Sequence, residues 1–227
     1  MIYGNIDGIR DSVLKKLETL YEINIPKDMV CSLELVEVLQ EVSTSVNREI
    51  SVAVSRRGSI ISIAVGDSST VEIPEIREKD NRLCGIRIIH THPNGNSTLS
   101  AVDISALIKY RLDCILAIGI LDGEVIDGSL GFCSISNNRI TAEATKKLSM
   151  EELLAVNIQD KIGEADKLIR EAEIEEDEAE RAILVGIDSE ESLDELEELA
   201  KACNVKVLQK VIQFRSAVDS AFYVGKG

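Results

Sequence analysis

Tryptophan is absent from this 227-residue chain, aromatic residues make up only 3% of it, and histidine occurs just twice. The core must therefore be built from Ile, Val and Leu. The five cysteines (Cys31, Cys84, Cys114, Cys133 and Cys203) form no C-x-x-C pair, and their odd number argues against a disulfide framework, so buried reduced thiols are expected. Long apolar runs are missing too. The longest, Cys114 to Leu121, is far short of the roughly 20 residues that a membrane span needs, and Met1 to Asp7 has neither the basic start nor the apolar centre of a secretion signal. No membrane association and a cytoplasmic location are the resulting expectations. Positive charge is also scarce: 25 Lys and Arg stand against 40 Asp and Glu, a formal net charge of −15. Phosphate binding needs clustered cations, so no direct nucleic-acid binding is expected for residues 1–180. Part of the acidic excess is local, in Glu171 to Glu180, which reads as a solvated helix end or linker.

What is present is ample apolar residue, 44% of the chain, in patterns that alternate between two periods. Length and composition allow one or two domains. Ile9, Val13, Leu14, Leu17 and Leu20 recur at helical spacing, as do Leu35, Val36, Leu39 and Val42. Ile50 to Val54 and Ser59 to Val65 are strand-like, joined by the hairpin signal Arg56-Arg57-Gly58, and a turn at Gly66 to Ser69 leads into Thr70 to Ile73. An antiparallel meander is the expectation there. Cys84 to Ile89 reads as a further strand, Ser100 to Tyr110 as a helix, and Cys114 to Ile120 as a strand turning at Asp122-Gly123 toward more strands up to Ser136. Beyond Ile140 the texture becomes Lys, Glu, Ala and Leu, and Met150 to Ala182 reads as a helical connector whose Leu153, Leu154, Val156, Ile158, Ile162, Leu168 and Ile169 could pack on the first domain. A new unit opens at Arg181: strand Ala182 to Asp188, a helix Leu193 to Cys203 capped by Ser192, and strand Val205 to Ile212, the start of a β-α-β unit with a parallel pair. The fold class is α/β (α+β), a mixed sheet flanked by helices. Domain boundaries are read as 1–140, an acidic helical connector at 141–180, and 181–227.

Both histidines lie in one short stretch, His90-Thr-His92-Pro93-Asn-Gly-Asn-Ser-Thr-Leu-Ser100-Ala-Val-Asp103. At the end of a strand, positions i and i+2 face the same way, so the two imidazoles converge. Asp103 falls in the first turn of the following helix, facing back toward the strand end. Two histidines and a carboxylate are a catalytic zinc set, with a fourth position left to water. Each residue has a plainer reading as well: Ser100-x-x-Asp103 fits a helix cap, and Glu49, at the head of the segment Glu49 to Val54, fits a solvated charge at a strand edge.

The spacing H-x-H-x7-S-x2-D, held by His90, His92, Ser100 and Asp103, resembles the JAMM motif of the MPN-type metalloproteases. The resemblance implies a curved sheet between helices, one zinc per chain held by His90, His92 and Asp103, Ser100 stabilising the tetrahedral intermediate, and a glutamate from an earlier strand as general base. Glu49 is the candidate for that base, with Glu72 the weaker alternative. Zinc lowers the pKa of bound water to roughly 7 and polarises the carbonyl under attack. The reaction implied is hydrolysis of an amide or isopeptide bond in a peptide or protein substrate, although the RadC proteins share a similar motif without implying peptide cleavage.

The chain's end is similar to another family. Ser192-Leu-Asp-Glu-Leu-Glu-Glu-Leu-Ala-Lys, with Gln213 to Gly227 and its Tyr223-Val-Gly225-Lys226-Gly227, resembles the start of the HflX family of ribosome-associated GTPases, with Ser220 near the position of a usual proline. That resemblance covers about the last 47 residues and implies a parent protein that binds GTP with magnesium in a further domain and associates with the large ribosomal subunit. No G-x-x-x-x-G-K-[ST] phosphate loop occurs in these residues. Two functional readings follow: a JAMM-like zinc hydrolase joined to an HflX-like GTPase, or a non-catalytic regulatory or interaction module of that GTPase with a structural or vestigial metal.

Overall fold

A computed structural model describes residues 1–67, 82–171, 180–186, 189–203 and 205–212. The chain divides into two compact units, Met1–Ile174 and Glu175–Gly227.

The first unit begins with a short strand β1 (Ile2–Gly4), helix α1 (Asp11–Thr19) and a 3₁₀ turn at Leu20–Glu22, followed by helix α2 (Leu33–Val46). The Ser32 side chain caps α2, accepting from the amide of Leu35 at 3.3 Å. Four consecutive periodic positions, Leu35, Val36, Leu39 and Val42, are buried. Strands β2 (Ile50–Ser55) and β3 (Ile60–Val65) form the expected hairpin, after which come β4 (Ile86–His92), helix α3 (Ala101–Lys109), β5 (Cys114–Leu121), β6 (Glu124–Ser136) and β7 (Arg139–Ala144). They build a mixed α+β fold on a seven-stranded sheet of order β1-β3-β2-β4-β5-β6-β7.

This order corrects the simple meander: β4 pairs antiparallel with β2, the inner strand of the hairpin, while parallel β1 occupies the outer edge of β3. The expected strand Thr70 to Ile73 lies outside the described residues. Strands β4 and β5 are parallel, and α3 supplies the crossover that such a pair requires. Because β5 is an interior strand covered on both sides, Cys114 to Ile120 is buried throughout, which explains its unbroken apolar sequence.

Helices α4 (Met150–Ala155) and α5 (Ile158–Glu171) belong to the same core, burying Leu153, Ile158, Ile162 and Ile169. Leu168, read as a packing residue, is instead 48% exposed. Opposite faces of β6 show how the layers lie: a side chain added at Gly131 would meet Leu107 of α3, and one at Gly128 would meet Leu153 of α4. Among the described residues, no helix is long and apolar enough to cross a membrane.

The second unit contains β8 (Glu180–Gly186), α6 (Glu190–Ala202) and β9 (Val205–Ile212), with β8 and β9 parallel as expected. Its helix starts three residues earlier than the sequence reading. Ser189 is the cap, accepting from the amide of Ser192 at 3.2 Å, and Glu190 and Glu191 occupy the first turn, where the helix dipole favours negative charge. The acidic block is mostly, and the Gln213 to Gly227 ending wholly, outside the described residues.

Candidate metal centre

Alternation along β4 sends His90 and His92 to one side of the sheet, the side covered by α3. The ring centroids are 4.6 Å apart and the planes stand at 78°. His90 is completely buried and His92 nearly so. On the neighbouring strand, Ala117 lies opposite His90 and Gly119 opposite His92. These small residues leave space for the following loop to close over β5.

That loop leads into α3 through a capping box. Ser100 Oγ accepts from the Asp103 amide at 3.2 Å, and Asp103 Oδ2 accepts from the Ser100 amide at 2.7 Å. The helix-cap reading is therefore realised, yet it does not exhaust the carboxylate. Asp103 Oδ1 stands 3.3 Å from His90 Nε2, and Oδ2 stands 3.9 Å from His92 Nε2. The shorter approach lacks hydrogen-bond geometry, and neither ring nitrogen of His90 has a hydrogen-bond partner. A buried polar group without a partner costs about 1–3 kcal/mol. Nitrogen and oxygen donors that converge on one point fit ligands directed at a common cation, and imidazole with carboxylate is a zinc-type donor set.

The backbone around Asn96 orients His92. His92 Nδ1 lies 2.6 Å from the Asn96 carbonyl; a carbonyl only accepts, so Nδ1 carries the proton and Nε2 keeps its lone pair for the site.

Glu49 arrives from a different direction. Helix α2 stops at Asn47, whose φ of 50° is left-handed and turns the chain toward β2. The turn is then pinned on both sides of Glu49: Ser43 Oγ donates to the Arg48 carbonyl at 2.8 Å, Thr91 Oγ1 donates to Ser43 Oγ at 2.9 Å, and the Ile50 amide donates to Thr91 Oγ1 at 3.0 Å. A carboxylate oxygen of Glu49 and one ring nitrogen from each of His90 and His92 consequently lie within 4.8 Å of one another. These groups head a cleft of about 410 Å³ whose walls include Glu49, Asp67, His92, Leu99, Ser100 and Asp103.

Burial raises the Glu49 carboxyl above its ordinary range; His92 opposes this, while Asp67 and Asp103 add to it. Burial also pushes His90 down to about 4, against the pull of Asp103 in the other direction and with the help of His92. Neutral imidazole is the form that binds metal.

Residues 190–227 match the family model described as GTP-binding GTPase N-terminal. No curated protein and no solved structure matches the chain. The matched segment begins at the first residue of α6 and lies wholly outside the seven-stranded unit that carries the histidines.

Every site residue singled out from the sequence, Glu49, His90, His92, Ser100 and Asp103, lines the cleft or the histidine cluster at its head. Glu72 lies outside the described residues. Sequence reasoning did not single out Asp67, which follows the end of β3 in a segment read only as a turn. It also overlooked Asn96 and Ser97, whose polar character in a loop carries no signal beyond turn formation.

Proposed function

We propose that the first unit is a JAMM-like, zinc-dependent hydrolase of amide or isopeptide bonds, joined to the N-terminal region of an HflX-like, ribosome-associated GTPase. The observation that carries the first half is the meeting of Glu49, His90 and His92 within 4.8 Å, with Asp103 against both imidazoles, at the head of an open cleft. His90 Nε2, His92 Nε2 and the Asp103 carboxylate would hold the metal. When bound, zinc supplies Lewis-acid polarisation of the scissile carbonyl and acidifies water. Glu49 takes the proton of the attacking water on its carboxylate and returns it to the leaving nitrogen. Ser100 Oγ already accepts from the Asp103 amide, which leaves its hydroxyl proton to donate to the developing oxyanion. The walls formed by Leu99 and Val102 offer apolar contact to a side chain beside the scissile bond.

The match of residues 190–227 supports the second half at the level of a GTPase N-terminal region. The finer HflX reading rests on the resemblance of Gln213 to Gly227, and with it come GTP and magnesium in a further domain, the large ribosomal subunit as partner and the cytoplasm as location. With a formal net charge of −15 over the whole chain, the acidic extension then faces away from RNA or limits access to it, and removing residues 1–180 from the full-length GTPase is expected to raise ribosome affinity about tenfold or more.

The intact capping box favours a second reading, in which Ser100 and Asp103 are structural and the domain is a non-catalytic module with a structural metal. Zinc analysis and turnover of a peptide and isopeptide library separate the two. The hydrolase reading expects near-stoichiometric zinc, zinc lost in His92→Ala, and Glu49→Gln that keeps zinc but loses turnover. Zinc without turnover in the unaltered protein selects the module, and no zinc in the presence of added metal overturns both.

A further inference from the structure

The two histidines stand at the start of two cross-strand rows. One runs His92–Gly119–Asp127 across β4, β5 and β6, and the other runs His90–Ala117–Ser129. In each row a polar residue of β6 shares the histidine's face and a very small residue lies between. The loop after β4 fills the gap in the first row. It lies so close to β5 that a Cβ at Gly119 would come within 2.6 Å of the Gly95 carbonyl oxygen and 3.2 Å of the Ser97 amide nitrogen.

The loop is fastened at both ends of that row. On one side the Asn96 carbonyl accepts from His92 Nδ1. On the other, Ser97, completely buried, donates its hydroxyl to Asp127 Oδ1, with Ser129 Oγ behind it at 3.4 Å. Lys147 Nζ lies 3.6 Å from the other oxygen, Asp127 Oδ2. Between the two fastenings, the Asn96 amide donates to Asn94 Oδ1 at 2.9 Å and the Thr98 amide donates to Asn96 Oδ1 at 3.1 Å, which fixes the direction of the Asn96 carbonyl.

We propose that Asp127, acting through Ser97, is a positioning residue for His92: it holds the loop on Gly119 so that the Asn96 carbonyl keeps the proton on Nδ1 and directs Nε2 to the metal site. Asp127 touches neither histidine in this arrangement and lies on a strand that contributes nothing else to the site described above. The inference rests on the metal-centre reading for its purpose, but its structural part concerns the metal-free ring. Partners of this kind, which orient a ligand from behind, typically govern metal affinity by about 10–100-fold.

The test is ¹⁵N NMR of the imidazoles in the metal-free protein, where two histidines give two ring spin systems, alongside titration with cobalt(II) followed by its visible absorption. In the unaltered protein His92 is expected as the Nδ1–H tautomer. Asp127→Ala and Ser97→Ala should each populate the Nε2–H form and weaken cobalt binding about 10–100-fold, whereas Asp127→Asn, which keeps an acceptor for Ser97, should stay near the unaltered protein in both readouts. A His92 tautomer unchanged in both alanine variants, with the circular dichroism of the folded protein retained, overturns the proposal. A tautomer shift in a protein that binds no cobalt upholds the positioning role and removes the metal-centre reading instead.

Discussion

In the unit Met1–Ile174 helices cover both faces of a seven-stranded sheet, while among the described residues of Glu175–Gly227 a two-stranded parallel sheet carries one helix. Leu184 and Leu193 are buried in the smaller unit, but Ile183 and Leu208 are each 57% exposed and Leu199 is 63% exposed. Parallel strands ordinarily need cover on both faces. The family match falls on the smaller unit, whose described residues cover its strands thinly, whereas the constellation with chemical potential sits in the larger one, which no comparison matches. Resemblance of sequence and burial among the described residues are thus separate properties of the two units.

The sharpest way to break this contrast is a pair of truncations. Leu116→Ala, at a fully buried position on β5, is expected to cost about 3 kcal/mol through lost burial and a residual cavity. Leu208→Ala on β9, largely exposed, is expected to stay within about 0.5 kcal/mol. Urea unfolding followed by far-ultraviolet circular dichroism reads both, and equal losses would erase the distinction.

A second pair compares two carboxylates within the larger unit, each 1% exposed. Asp113 is satisfied by Arg56, whose Nε and Nη2 approach at 2.7 and 2.5 Å, and by the Gly85 amide at 3.0 Å. Asp103 faces two imidazoles instead. Asp113→Ala should therefore destabilise by about 2 kcal/mol, less than a fully buried pair because Arg56 is half-exposed, and leave zinc content unchanged. Asp103→Asn should do the reverse, losing zinc while the metal-free protein melts nearly as before. Zinc loss in Asp113→Ala without unfolding would contradict this division of roles.

The smallest effect concerns the thiols. Burial pushes Cys31, Cys84 and Cys133 up to about 12 and raises Cys114 as well. Cys203, at the end of α6, is exposed. A thiol with a raised pKa stays protonated, and so unreactive, until the pH climbs past that value. Iodoacetamide at pH 8 is expected to label Cys203 in the native protein and all five cysteines in urea. Labelling of the first unit's thiols under native conditions would show that its core opens as easily as the smaller unit.

Local pattern was enough to read much of the fold: the helical spacing in α1 and α2, the hairpin at Arg56-Arg57-Gly58, the doubly buried run of β5 and the β-α-β opening at β8 all express periods of 3.6 or 2 within a few residues. The two-residue spacing of His90 and His92 likewise determined that both rings share a face, and Ser100-x-x-Asp103 determined a capped helix start. Tertiary structure alone decided that β4 enters between β2 and β5, and therefore that Glu49 reaches the imidazoles, and Gly119 and Asp127 fall in line with His92. The physical reason is that strand neighbours are chosen by burial of whole faces among segments far apart in the chain. No local period records which distant residue will stand across the pair.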